Sequence, residues 1–386
     1  MTTATTHRVV VIGGGYAGTL AANHLLMRDD VSVTLVNPRP QFVERIRLHQ
    51  HAAGNYDATI GYDTLLAEGV RLVVDTATRI DTETPKVHLA SGDTLDYDYV
   101  IYAVGSNVDL AASVPGCTEF TYSLAEFEQA KRLQARLAEL PASAPMVVVG
   151  AGLTGVETAA EFAEGGRHVA LIGELAPSLS APGRRSVAKQ LARLGVTVID
   201  RQVTAVSADR VTLADGSVVA SAVTVWAAGF GAPALAAASG LRIDYLGRLL
   251  TDETLTSVSD LRIVAAGDSA APSGRPLRMS CQAAGPLALT AAKTVLSRIA
   301  GTEPAVIDQA FVGSCISLGR AGATYQIARR DDSPTNYYLG GRLAAALKEA
   351  ICRGTVSGIR QAARKPGRAL YFKGGRRTRQ PEPVSA

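Results

Sequence analysis

The sequence predicts an α/β protein: two doubly wound parallel sheets, each with an inserted β-meander, then a C-terminal region with a basic amphipathic helix. Three observations carry this. Two apolar runs each end in a glycine-rich turn, Gly13-Gly14-Gly15-Tyr16-Ala17-Gly18 and Gly150-Ala151-Gly152-Leu153-Thr154-Gly155. The chain also repeats itself: Val87-His88-Leu89-Ala90-Ser91-Gly92 returns as Val211-Thr212-Leu213-Ala214-Asp215-Gly216, and Tyr99 to Gly105 follows in register with Val223 to Gly229. Charge is uneven as well. Residues 342–380 hold eleven Lys or Arg against one acid, Glu349, in a chain whose formal net charge is only +4.

Taken in order, Arg8 to Ile12, Val31 to Val36, Met146 to Val149 and Val169 to Ile172 are β-rich and too short for helices. Continuous apolar strands of this kind suit a parallel sheet covered on both faces. In each turn the first glycine makes the sharp exit from the strand. The second lets the backbone approach a pyrophosphate, and the third lets helix and strand pack closely. The helix N-terminus then offers free N–H groups and its positive dipole end. Two such turns imply Rossmann-like domains for two adenine dinucleotides. A third strand, Leu261 to Ala266, ends in Gly267-Asp268. That aspartate suits sugar-like hydroxyls, the N-cap of a helix, or both. The expected units are 1–110 with 239–300, 111–238, and a C-terminal association region over 301–386.

The length of 386 residues fits two or three domains, and 47% apolar residues can fill them. No run approaches the ~18 apolar residues of a membrane span. The first residues show no secretory pattern, so a cytoplasmic protein is expected. The four cysteines have neither CxxC nor zinc spacing, so no metal is expected and they read as small core residues. In the tail, Leu343, Leu347, Ala350 and Ile351 form one apolar helix face, with Arg342, Lys348, Glu349 and Arg353 off it. Such a helix can lie in an anionic membrane interface, peripheral on the cytoplasmic face, or dock on the body or on a second copy in a homodimer. Few aromatics accompany the basic residues, which argues against nucleic acid.

These residues resemble the two-dinucleotide-binding flavoproteins of the pyridine nucleotide oxidoreductase family over residues 7–300. Within that family the chain looks like type II NADH dehydrogenases and apoptosis-inducing-factor-like quinone reductases. The resemblance implies that FAD is held by Gly13, Gly15, Ala17, Gly18, Asn37, Arg45, the backbone near Ala77, Gly105, Gly267, Asp268 and Gln282. It implies NADH or NADPH at Gly150, Gly152, Gly155, Glu157, Gly173, Glu174 and Gly229. The implied reaction passes a hydride from NAD(P)H to FAD and then electrons to a quinone or other small acceptor. Glu157 and Gln282 are the catalytic candidates. Glu157 reads equally as a helix N-terminal carboxylate, worth about 0.3–1 kcal/mol.

Departures accompany the resemblance. Asn37 stands where FAD sites carry an acid, and Gly173 takes the same place in the other half, followed by Glu174. NADH is slightly favoured, with Arg184 and Arg185 further on as candidates for a 2′-phosphate. Gln282 keeps the first glutamine of a quinone-side helix, while Pro286 replaces the second. Residues 42–51 contain no cysteine, which argues against disulfide reductase chemistry. Arg45, Arg47 and His49 are candidates for positive charge near a reduced flavin, with at least two expected to be solvated loop positions. Alternatives stay open: a ferredoxin-type reductase, a sulfide:quinone reductase-like enzyme using Cys117 and Cys315, or a nucleotide-binding redox sensor.

Overall fold

A computed structural model describes residues 6–108, 114–368 and 371–375. Arg376, Arg377 and Arg379 of the basic tail, and the expected boundary at 110/111, lie outside the described residues. Two five-stranded sheets dominate, and all pairing within them is parallel. The first runs Ile263–Ala265, Tyr99–Tyr102, His7–Ile12, Val31–Asn37, Val70–Val74. The second runs Thr121–Ser123, Val223–Trp226, Met146–Val149, Val169–Ile172, Thr197–Ile199. Four strands follow the same order in both, so the internal repeat is a repeat of architecture; the edge strand beside them comes late in the chain in the first sheet, Ile263–Ala265, and ahead of the repeat in the second, Thr121–Ser123. Val9, Val11, Val33, Leu35, Val147 and Val148 are buried, as strands covered on both faces require.

Each copy carries its antiparallel meander, Ala77–Asp81, Lys86–Leu89, Thr94–Asp96 in the first and Val203–Val206, Arg210–Leu213, Val218–Ala220 in the second. The copies differ after their second strand. The second copy places a helix there, Ala181–Arg193. The first has a small hairpin, Gln41–Val43 with Thr59–Gly61, enclosing a five-residue helix, Leu48–Ala52. That short helix packs against elements of the second copy, Phe127–Glu139 and Leu153–Glu164. Residues 44–56 thereby become a bridge between the two sheets.

The helix Cys281–Ile299 packs along the first glycine helix, Tyr16–Leu25. A three-stranded antiparallel sheet follows, Gly313–Ser317, Ala323–Ala328, Pro334–Gly340, and then the long helix Gly341–Arg364. Gln326 keys this sheet to the second copy. Its Oε1 accepts from the Ser180 backbone N (3.2 Å) and Oγ (2.7 Å), at the N-cap of the helix Ala181–Arg193.

The long helix does not sit as its sequence pattern suggests. Its buried face is Ala344, Cys352, Val356, Ile359 and Ala362. Leu343, Leu347, Ala350 and Ile351 are exposed, Leu343 by 73%. Glu349 turns back to Arg47, and Lys348 turns into the body of the protein. No helix among the described residues is long and apolar enough to cross a membrane.

The close approaches at the turns give a direct test. A Cβ on Gly155 would lie 1.7 Å from the Gly150 carbonyl oxygen. Gly155→Ala must push helix from strand, an overpacking cost of about 1–3 kcal/mol. The expected result is a lowered urea midpoint at unchanged m-value. An unchanged midpoint would show that the turn has slack.

Candidate functional site

The two glycine turns are built alike. Gly13 and Gly150 have φ of +102° and +99°, and Cβ atoms there would strike the backbone of Ala103 and Ala227. Gly18 and Gly155 touch the carbonyl oxygens of Gly13 and Gly150. Gly15 and Gly152 face open space, with nothing within 4 Å of a Cβ position. The outer glycines therefore close the strand–helix joint, and the middle ones leave bare backbone facing open space. Ala17, beside Gly18, packs against Gly267, whose Cβ position lies 3.0 Å from the Ala17 Cβ.

Around the first turn, Asn37 Oδ1 accepts from Gly14 N (3.0 Å) and its Nδ2 donates to the Arg39 carbonyl (2.7 Å). Asn37 thus braces the turn without bringing a charge. Asp268 is not a helix N-cap: it sits in a three-residue 3-10 turn, and Ser280 caps the helix Cys281–Ile299. Its carboxylate accepts from Ser106 Oγ (2.9 Å) and Ser280 N (3.1 Å), and Ser106 in turn receives Arg45 Nη1 (3.3 Å). Arg45, Ser106 and Asp268 therefore form one polar wall past Gly105. Gln282 Oε1 accepts from Arg278 (3.2 Å), which also pairs with Asp332 (3.1 Å). Ala77 lies at the bulge that opens the first meander. Around the second turn, Gly229 follows the strand Val223–Trp226 with φ of +71°, and Glu174, next to Gly173, pairs with Arg184 at 3.6 Å.

Between the two turns lies a buried ionic centre. Glu157 falls in the second turn of its helix, past the N-terminal groups. Its Oε1 accepts from Lys348 Nζ (2.8 Å) and from the Ser317 backbone N (2.9 Å). Lys348 also donates to the Cys315 carbonyl (3.2 Å). Burial alone would raise the Glu157 carboxyl, but the Lys348 ammonium and the two hydrogen bonds hold it below its ordinary range. Burial likewise works against the Lys348 ammonium, and the Glu157 carboxylate outweighs it, so its pKa is raised. The pair is ionised and internally neutral.

Arg47 and His49 are not solvated loop residues. Arg47 is 2% exposed, pairs with Glu349 (2.9 Å), and lies 4.4 Å over the Tyr56 ring. His49 is 3% exposed, and burial lowers its pKa to about 4, so the ring is neutral. The bridge 44–56 drives both inward. Three of the four cysteines share this neighbourhood. Burial raises the thiols of Cys281, Cys315 (to about 12) and Cys352 (to about 11), with Lys348 opposing in each case. Cys117 lies elsewhere, in the apolar cluster of Val147, Val149 and Trp226, so it does not pair with Cys315. A cavity of about 340 Å³ reaches this centre, lined by Arg47, Gln50, Tyr56, Arg320, Lys348 and Cys352 among others.

Sequence reasoning found the turns and Glu157 but missed Lys348. A signal was there: Ala344, Lys348, Cys352 and Val356 recur every four residues, a second narrow stripe of mostly small residues beside the obvious apolar one.

Twin parallel sheets, each with a glycine turn whose middle glycine is open, place the chain among the pyridine nucleotide oxidoreductases. The chain belongs to the pyridine nucleotide-disulphide oxidoreductase family, whose pattern matches residues 7–291. It is 32% identical over 349 residues to a NADH dehydrogenase-like protein of Mycobacterium tuberculosis, covering 82% of this chain and 87% of that one. It is 30% identical over 375 residues to a type II NADH:quinone oxidoreductase of the same species, covering 83% and 80%. Among solved structures, the sulfide:quinone oxidoreductase of Aquifex aeolicus shares the fold, with a TM-score of 0.78, 21% identity and 92% of each chain covered.

Proposed function

We propose that this protein is an FAD-dependent NADH dehydrogenase that delivers electrons to a quinone, like the type II NADH:quinone oxidoreductase to which it is similar. The observation that carries the reading is the buried Lys348–Glu157 pair, set beside the second glycine helix at the end of a cavity. The residues fit the group: Gly15 leaves open backbone at a helix start, and Arg45, Ser106 and Asp268 form a hydrogen-bonded polar row beside Gly105. Gly13, Ala17, Gly18, Asn37, Ala77, Gly105, Gly267 and Gln282 complete the proposed FAD set. Bound FAD supplies hydride acceptance and stepwise electron release, chemistry that no side chain of this chain offers.

The chain's own residues position and protonate. Gly150, Gly152 and Gly155 receive the dinucleotide, with Glu174 toward its ribose and Gly173 and Gly229 bordering it. Reducing a quinone to the hydroquinone consumes two protons. Lys348 is a positively charged donor at the cavity, reprotonated there from water, and the Glu157 carboxylate holds its position. Neutral His49 adds no competing charge. Exposed Tyr337, Tyr338 and Leu339 end the last strand, and exposed Leu343, Leu347 and Ile351 follow on the helix that also carries Arg342 and Arg353. This apolar patch with a basic margin suits an anionic lipid surface holding an apolar acceptor.

Anaerobic titration tests the reading. NADH should bleach the flavin band, and a short-chain quinone should restore it rapidly. Bleaching without recovery would point to another acceptor, such as a ferredoxin. Absence of bleaching by either nicotinamide nucleotide would leave the redox-sensor alternative. In a parallel test, anionic vesicles should sediment the protein and neutral vesicles should not; loss of Leu343 and Leu347 to Ser should abolish this.

A further inference from the structure

The edge of the nicotinamide half carries two opposite charges where one is enough. The two sheets superpose in register: Gly13 N donates to Val36 O and Gly150 N to Ile172 O, each at 2.8 Å. Gly173 therefore occupies the place of Asn37. No larger residue fits there easily, since φ is +130° and a Cβ would sit 3.1 Å from Ala151 N. The discriminating side chain is displaced by one residue to Glu174. Its carboxylate does not stand free. Arg184, in the first turn of the helix Ala181–Arg193, approaches it to 3.6 Å, and exposed Arg185 follows.

The chemistry of the adenosine ribose reads these groups differently. A 2′-hydroxyl donates to a carboxylate. A 2′-phosphate is repelled by a carboxylate and is gripped by a guanidinium, often through two parallel hydrogen bonds. The Glu174–Arg184 pair is long for a salt bridge, and the two side chains are 65% and 41% exposed. Separating such a pair costs little. Either partner can swing toward the ligand while the other returns to water.

We propose that Glu174 and Arg184 form a reversible specificity pair, so that the protein binds NADH and NADPH with comparable affinity. This rests on the second glycine turn being the nicotinamide nucleotide site. Glu174 serves the 2′-hydroxyl and Arg184 the 2′-phosphate.

Calorimetry of the full-length holoprotein with ADP-ribose and with 2′-phospho-ADP-ribose tests this without any redox step. The two dissociation constants should agree within about tenfold. Arg184→Ala should weaken the phosphorylated ligand about tenfold or more and leave ADP-ribose within about threefold, the loss of one charge-assisted contact. Glu174→Gln should do the reverse, weakening ADP-ribose and tightening 2′-phospho-ADP-ribose. A wild-type preference beyond about a hundredfold, or an Arg184→Ala effect equal on both ligands, would overturn the proposal while leaving the site reading intact. If neither ligand binds, the reading of the second turn fails and the specificity pair with it.

Discussion

Lys348→Met should leave the protein folded but slow at its acceptor. The substitution keeps chain length and removes both the charge and the donor from Glu157, which is buried with Lys348 as its ion-pair partner. Removing one member of a buried pair costs about 3–5 kcal/mol, less whatever Glu157 recovers by taking a proton. The proposed proton role adds a second consequence. Quinone-dependent turnover should fall about a hundredfold or more, the ordinary range for a lost acid–base group. Flavin bleaching by NADH should change by less than about threefold, because hydride uptake needs little from this pair. The double variant Glu157→Gln with Lys348→Met separates the effects. It should recover most of the stability, since no uncompensated charge remains, without recovering turnover. Recovery of both would make the pair a structural tie alone.

Stability should fall steeply as pH drops below about 6.5, the ordinary histidine value. Burial lowers the pKa of both His24 and His49 to about 4. His24 is in the last turn of the first glycine helix, within reach of the Lys293 charge, with neither ring nitrogen hydrogen-bonded. A histidine whose folded pKa is depressed binds its proton more readily in the unfolded chain. The penalty is therefore absent above pH ~6.5, grows as pH falls, and is complete below the folded value. Each ring contributes up to about 1.4 kcal/mol per pH unit in that window, about 3 kcal/mol in all. Urea melts between pH 7 and 4.5 should show this slope. His24→Met should remove about half of it while leaving the neutral-pH midpoint close to wild type. An undiminished slope in His24→Met would mean that the ring is already charged or solvated in the folded protein.

The parts of this protein that were legible in its sequence are those made by local rules. Glycine turns announce themselves because only glycine tolerates the φ of Gly13 and Gly150 and the contact made by Gly155. The strands announce themselves as unbroken apolar runs, and the meanders through a repeated Leu-Ala-x-Gly. Glu157 was visible because its turn placed it. The ionic centre was not legible, because its members arrive from three distant segments. Arg47, His49 and Lys348 look like solvated charge in their own windows. Periodicity assigns a helix face by counting apolar residues, so it chose Leu343, Leu347 and Ile351 over Ala344, Cys352 and Val356. A buried lysine becomes reasonable only when its carboxylate is seen, and that carboxylate sits on the other side of the molecule's centre in sequence. Cys117 and Cys315 were comparable in type but were carried by different layers.

The route of the chain through the site also sets a schedule. Glu157 is made before the middle of synthesis, on a helix that the second sheet can shelter early. Its counter-ion belongs to the helix Gly341–Arg364, which leaves the ribosome long after it. Until that helix arrives, the carboxylate must keep water, and Arg47 lacks its Glu349 partner as well. Nascent chains truncated ahead of the helix therefore carry formed nucleotide turns around an open, hydrated centre. That centre can dry only once this helix has arrived, after both glycine turns have been made.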